Sequence, residues 1–127
     1  MALIMIADDD VDLVTALEDY LKSRNHQVVS VNDGVSASLK AQEWKPDLII
    51  MDIMMPGVYG TSAYKSLESA GITKTTPVIF ITSISPDQAE KLVPSGPRIR
   101  FLPKPVHFET LGKAITELLG HPSPPSQ

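Results

Sequence analysis

The sequence predicts an α/β domain built on a five-stranded parallel sheet, doubly wound in the order 2-1-3-4-5 with helices on both faces. Three observations lead there. Apolar runs of strand length recur at residues 2–7, 27–31, 47–51, 77–82 and 98–102, and helix-period segments separate them, so strand and helix alternate strictly. The runs have the two-sided apolar character of strands covered on both faces, which implies parallel pairing and right-handed helical crossovers. A chain of 127 residues, 43% hydrophobic and 20% charged, has the size of one domain and apolar residues enough for one core.

Composition narrows the chemistry. The absence of cysteine removes a disulfide framework, thiolate metal ligation and thiol catalysis, and suits a reducing compartment. No apolar run approaches the roughly 20 residues of a membrane span, and the short apolar stretch after Met1 has no basic flank, so neither an anchor nor a signal peptide is expected. A formal charge of −4 argues against direct nucleic-acid binding, which needs concentrated Lys and Arg. The expectation is a soluble, cytoplasmic domain over residues 1–120, with the proline- and serine-rich residues 121–127 as a tail or the start of a linker.

Each helix has its own signal. The first begins among Asp9, Asp10 and Asp12, repeats Val14, Leu17 and Leu21 on one face, and carries Lys22 and Arg24 in its last turn, charges that suit the helix dipole. The second starts after the Asp33-Gly34 turn and ends near Trp44, which packs there. The third runs over residues 61–70 with Gly71 as its stop, and the fifth over residues 108–119 with Gly120 after it. Only residues 87–93 are available to the fourth before Pro94 and Pro97, so a short helix and then a loop are expected. His26, His107 and His121 have no partners at ligand spacing and read as a turn, a helix-start and a tail residue; Arg98 and Arg100 read as a solvated edge.

In this architecture ligands bind beyond the carboxyl ends of the strands, where strand order reverses. The first strand ends in Asp8, Asp9 and Asp10, the third in Asp52, the fourth in Thr82 and Ser83, and the fifth beside Lys104; the second ends without a reactive group. Strands one and three are neighbours about 4.8 Å apart, so Asp8, Asp9 and Asp52 converge. Two carboxylates about 4 Å apart repel by roughly 4 kcal/mol at an effective dielectric of 20. Such a cluster calls for a hard cation, and Mg²⁺ suits an open oxygen-ligand site able to take phosphate oxygens. A carboxylate beside Mg²⁺ can act as a nucleophile toward phosphorus, and Asp52 is the candidate. Lys104 and Thr82 supply the positive charge and hydrogen-bond donor that an anionic phosphoryl-transfer transition state needs.

The segments Ile4-Met5-Ile6-Ala7-Asp8-Asp9-Asp10, Leu48-Ile49-Ile50-Met51-Asp52-Ile53-Met54-Met55-Pro56-Gly57, Val78-Ile79-Phe80-Ile81-Thr82-Ser83 and Phe101-Leu102-Pro103-Lys104-Pro105 together resemble the CheY-like receiver domain of bacterial two-component response regulators, a flavodoxin-like fold. The resemblance covers nearly the whole chain. It implies Asp52 as phosphoacceptor, Asp8 and Asp9 holding Mg²⁺ with Asp52 and the backbone carbonyl of Met54, Lys104 on the phosphoryl group, and Thr82 with Phe101 as the switch. It also implies a sensor histidine kinase or phosphotransfer protein as phosphodonor, an output partner or fused domain, and no enzymatic activity beyond self-phosphorylation and self-dephosphorylation. In receivers Lys104-Pro105 is often cis.

Departures from the pattern are Tyr59, where the family often has Asp before Gly60, and the Pro94-Ser95-Gly96-Pro97 stretch at the end of the fourth helix. The latter falls on the face that receivers commonly use for output or for a homodimer. Met54 and Ile84 are apolar at positions that in receivers influence attack by water, so the resemblance predicts slow self-dephosphorylation. Each acidic or basic residue alone has a plainer reading: Asp8 to Asp10 as a helix cap, Asp52 as a strand terminator, Lys104 as an exposed lysine. Their joint placement at four strand ends favours function. Two other functions remain open at this point. Ile6-Ala7-Asp8-Asp9-Asp10-Val11 also resembles haloacid-dehalogenase-type phosphatases, with Asp8 as nucleophile, Asp10 as acid/base, Thr82 or Ser83 as second motif and Lys104 as third, although the further acidic pair of that family is missing. The other is a degenerate receiver used only for docking.

Overall fold

The computed structural model describes residues 2–53, 60–92 and 96–120. Its strands are β1 (Leu3–Ala7), β2 (Gln27–Val31), β3 (Leu48–Asp52), β4 (Val78–Thr82) and β5 (Ile99–Pro103). All pair in parallel in the order β2-β1-β3-β4-β5, as expected from the sequence. Between them lie α1 (Val11–Ser23), α2 (Gly34–Trp44), α3 (Gly60–Ser69) and α4 (Pro86–Leu92), and α5 (Phe108–Leu119) closes the fold. One element was not anticipated. A 3-10 turn at Ile72–Lys74 follows Gly71, whose φ of 80° ends α3 in the left-handed region where glycine is unstrained.

Alternation along the strands divides the apolar side chains between two cores. Met5, Ile49, Met51, Val78 and Phe80 face α2, α3 and α4, meeting Ala37, Ala41, Tyr64, Leu67 and Ala89. Ile4, Ile6, Leu48, Ile50, Ile79 and Ile81 face α1 and α5, meeting Leu17, Leu21, Leu111 and Ile115. Every residue of β3 and β4 is buried, so apolar groups fill those strands and polar ones wait for their ends. Burial of each large aliphatic side chain is worth roughly 1.5 to 3 kcal/mol.

Local chemistry sets the helix ends. Asp10 accepts from the Leu13 N–H (3.1 Å) to cap α1, and Asp33 accepts from Ser36 N–H (2.7 Å) to cap α2. The fourth helix is seven residues long, as its prolines require. Trp44 packs half-buried against the first core with Lys40 over its ring at 5.2 Å, and His26 accepts the Ala2 N–H through Nδ1 (3.2 Å). On the other face α1 and α5 approach closely: Tyr20 stacks on Phe108 at 4.8 Å, and its hydroxyl lies directly over Gly112. The expectations for Met54, Tyr59, Pro94 and Ser95, His121 and the 121–127 tail fall outside the described residues.

Candidate functional site

Neighbouring strands bring the acidic residues together. Ala7 pairs with Met51 across β1 and β3, and the next residue of each strand carries a carboxylate, Asp8 and Asp52. Asp8 N–H still donates to the Val31 carbonyl (3.2 Å), so Asp8 leaves the sheet in strand register and is 1% exposed. Asp52 is 5% exposed, while Asp9, one residue further into the loop, is exposed. One carboxylate oxygen from each of Asp8, Asp9 and Asp52 lies within 4.8 Å of the others.

Lys104 enters this cluster from the end of β5. Its backbone N–H donates to the Thr82 carbonyl (2.9 Å), which extends the β4–β5 ladder by one rung and aims the side chain along the sheet edge. Its Nζ donates to Asp52 Oδ2 at 2.9 Å and sits 3.3 Å from Asp8 Oδ2. The peptide bond between Lys104 and Pro105 is cis, as the resemblance implied. Burial works against the ammonium, but its hydrogen bond and charge attraction to Asp52, and then its attraction to Asp8, outweigh that and hold the amine above its ordinary value.

Asp8 shows the opposite imbalance. Burial pushes its carboxyl above the ordinary 3.8, with the Asp52 charge in the same direction, against the Asp10 N–H bond to Oδ1 (2.9 Å) and the Lys104 charge. Its Oδ2 is buried and, among the described residues, meets no well-aligned hydrogen-bond donor; Lys104 Nζ stands 3.3 Å away as an ion-pair partner. A buried oxygen with a free lone pair, facing two other carboxylates, is what an oxygen-preferring divalent cation would complete. The donor set therefore fits Mg²⁺, with Asp8, Asp9 and Asp52 as ligands.

The hydroxyl set is placed less tightly. Thr82 is 3% exposed at the end of β4, and its Oγ1 accepts from the Ile84 N–H (3.3 Å). Ser83 is exposed. Phe101 lies half-buried beside Phe80, with ring centroids 5.6 Å apart, and Phe80 in turn meets Tyr64 of α3 at 5.6 Å. Tyr64 was not singled out from the sequence, since an aromatic at helical spacing carries no sign of what it will touch. Asp10 is spent on capping α1, which takes away the acid/base that the phosphatase reading needs.

Comparison with known proteins agrees with this geometry. The response regulator receiver domain family matches residues 4–116. Protein PilH of Pseudomonas aeruginosa is 35% identical over 120 residues, covering 94% of this chain and 98% of PilH. The chemotaxis response regulator CheY4 of Vibrio cholerae superposes with a TM-score of 0.81 at 30% identity, over 93% of this chain and 98% of CheY4. The receiver domain of the sensor histidine kinase PA1611 from Pseudomonas aeruginosa, solved with magnesium coordinated in its active-site cleft, shares the fold with a TM-score of 0.82 at 24% identity, over 94% and 98% of the two chains. On the family match and on the PilH relationship, this chain belongs to the response regulator receiver domains.

Proposed function

We propose that the domain, over residues 1–120, accepts a phosphoryl group on Asp52 from a sensor histidine kinase or phosphotransfer protein and passes the signal to an output partner or fused domain by a change of conformation. The observation that carries this reading is the bridge of Lys104 Nζ between Asp52 and Asp8 at a three-carboxylate edge. An oxygen of Asp52 attacks phosphorus in line; the new P–O bond forms an acyl phosphate as the P–N bond to the donor imidazole breaks, and the freed imidazole nitrogen keeps the electron pair. Lys104 follows the developing charge from Asp52 onto the phosphoryl oxygens. Thr82 can leave the Ile84 N–H and donate its hydroxyl proton to the same oxygens, with Phe101 moving behind it.

Mg²⁺, held by Asp8, Asp9, Asp52 and the Met54 carbonyl, would neutralise the transferred group and relieve the carboxylate repulsion. The magnesium in the cleft of the PA1611 receiver, which shares the fold, supports that assignment. The reading includes a cytoplasmic location; among the described residues no helix is long and apolar enough to cross a membrane. The experiment is incubation with a small phosphodonor and Mg²⁺ followed by mass spectrometry. Label on Asp52, lost in Asp52→Ala, is expected. Label on Asp8, or repeated turnover of phosphate esters, would point to the phosphatase chemistry instead, and no label to a docking-only domain.

A further inference from the structure

The two edges of the sheet are treated differently. At β5 the outward N–H of Ile99 donates to the Gly96 carbonyl (3.1 Å), the outward Ile99 carbonyl accepts from Arg100 Nη1 (3.1 Å), and Pro103 has no N–H to offer, so that among the described residues Phe101 alone keeps an outward N–H open. Such devices blunt an edge against pairing with another strand. At β2 the Gln27 N–H and the Val31 carbonyl face β1, bonding to Ala2 and Asp8, so the alternation of a parallel ladder turns the N–H and C=O groups of Val28 and Ser30 outward. Among the described residues no hydrogen bond engages those four groups. The strand reads Gln-Val-Val-Ser-Val, without charge or proline. Beside it runs a groove of about 480 Å³ between α1 and α2, lined among others by Val11, Val14, Val31 and Trp44. Val11 is 73% exposed, and Leu39 on α2 is 62% exposed.

The charges along this edge identify what covers it. Ser30 Oγ donates to Glu18 Oε2 at 3.4 Å, which sets Glu18 level with Ser30. Helix α1 runs antiparallel to β2. Lys22, four residues and about 6 Å further along the helix, is therefore level with Val28, two residues and about 6.6 Å back along the strand. A two-fold axis through Val29, perpendicular to the sheet, sets Val28 of one copy against Ser30 of the other in an antiparallel ladder. It also brings each Glu18 opposite the partner's Lys22. An interface of this kind is self-complementary, as two-fold symmetry demands.

We propose that this protein forms a homodimer through antiparallel β2–β2 pairing, one sheet running through both copies with Glu18 and Lys22 paired across the axis. The test is sedimentation equilibrium of the full chain up to about 1 mM, the weak end of specific association. The weight-average mass should rise from 13.8 kDa toward twice that value. Glu18→Lys, which sets like charges opposite each other, should weaken association more than about tenfold. The double swap Glu18→Lys with Lys22→Glu should restore it. Ser30→Pro removes an outward donor without touching the β1 ladder and should give a monomer with unchanged circular dichroism. A wild-type chain that stays monomeric throughout, a dimer indifferent to Glu18→Lys, or a double swap that fails to recover association would overturn the proposal.

Discussion

Replacing Lys104 by Met removes the one ammonium that the described residues bring to Asp8 and Asp52. At an effective dielectric of about 20, unit charges 2.9 Å apart attract by about 6 kcal/mol and charges 3.3 Å apart by about 5 kcal/mol. Carboxylate oxygens no more than 4.8 Å apart repel by about 3.5 kcal/mol or more on the same scale. The net effect is smaller, because the lysine side chain gives up hydration and stays 23% exposed. Removing one partner from a buried pair typically destabilises by about 3 to 5 kcal/mol, and the lower end, about 3 kcal/mol, suits this exposure. For a chain of this size that lowers the melting temperature by about 10 °C. The assay is thermal unfolding followed by circular dichroism at pH 7, in EDTA and again in saturating MgCl₂. In EDTA the full difference should appear; in Mg²⁺ it should shrink, and a calorimetric titration should show tighter Mg²⁺ binding to Lys104→Met than to wild type. Equal melting temperatures in EDTA, or a difference that Mg²⁺ leaves unchanged, would refute the idea that lysine and metal neutralise the same charges.

Further expectations follow from the same geometry and from its surroundings. The folded state holds the Asp8 proton more tightly than the unfolded state does, so Asp8 lowers stability as pH rises from its unfolded value through its raised folded value. Urea midpoints in EDTA should therefore fall for wild type relative to Asp8→Asn as the pH rises above the ordinary carboxylate value of 3.8, and parallel curves would contradict this. Gly112→Ala drives a methyl into the Tyr20 hydroxyl. Overpacking of about 1 to 3 kcal/mol against a helix-propensity gain of about 1 leaves roughly 1 kcal/mol of destabilisation, and adding Tyr20→Phe should recover it in urea denaturation. The apolar Met54 and Ile84 of the receiver pattern predict slow decay of the acyl phosphate, and Ile84→Asn should speed hydrolysis about tenfold, about 1.4 kcal/mol of barrier, in a timed decay of labelled protein.

The sheet was legible because its three inner strands are buried on both faces, so their residues are apolar up to the carboxyl ends, where Asp52 and Thr82 close β3 and β4. The carboxyl-end residues Asp8, Asp52, Thr82 and Lys104 could be named from that rule alone, together with the strand order. Contacts between residues far apart in the chain were not legible. Nothing near Gly112 announces Tyr20, and nothing in Gln27–Val31 shows that, among the described residues, its outer edge lacks the partners that Arg100 and Gly96 give to Ile99 on β5.

Asp8, Asp9 and Asp10 show most clearly where sequence reasoning stops and structure takes over. As residue types they are identical, and the sequence can offer each of them as ligand, nucleophile or cap. Their roles are separated by single-residue steps as the chain leaves β1. Asp8 keeps the strand register through its N–H bond to Val31 and is buried; Asp9 is turned into the open; Asp10 has the extended backbone of a helix N-cap and accepts from Leu13. Because side chains alternate with a period of two, a slip of one residue in the β1 register would bury Asp9 in place of Asp8 and move the cap off the start of α1. Apolar Ile4 and Ile6 in one core and Met5 and Ala7 in the other hold that register, so the packing of β1 decides which aspartate faces Lys104.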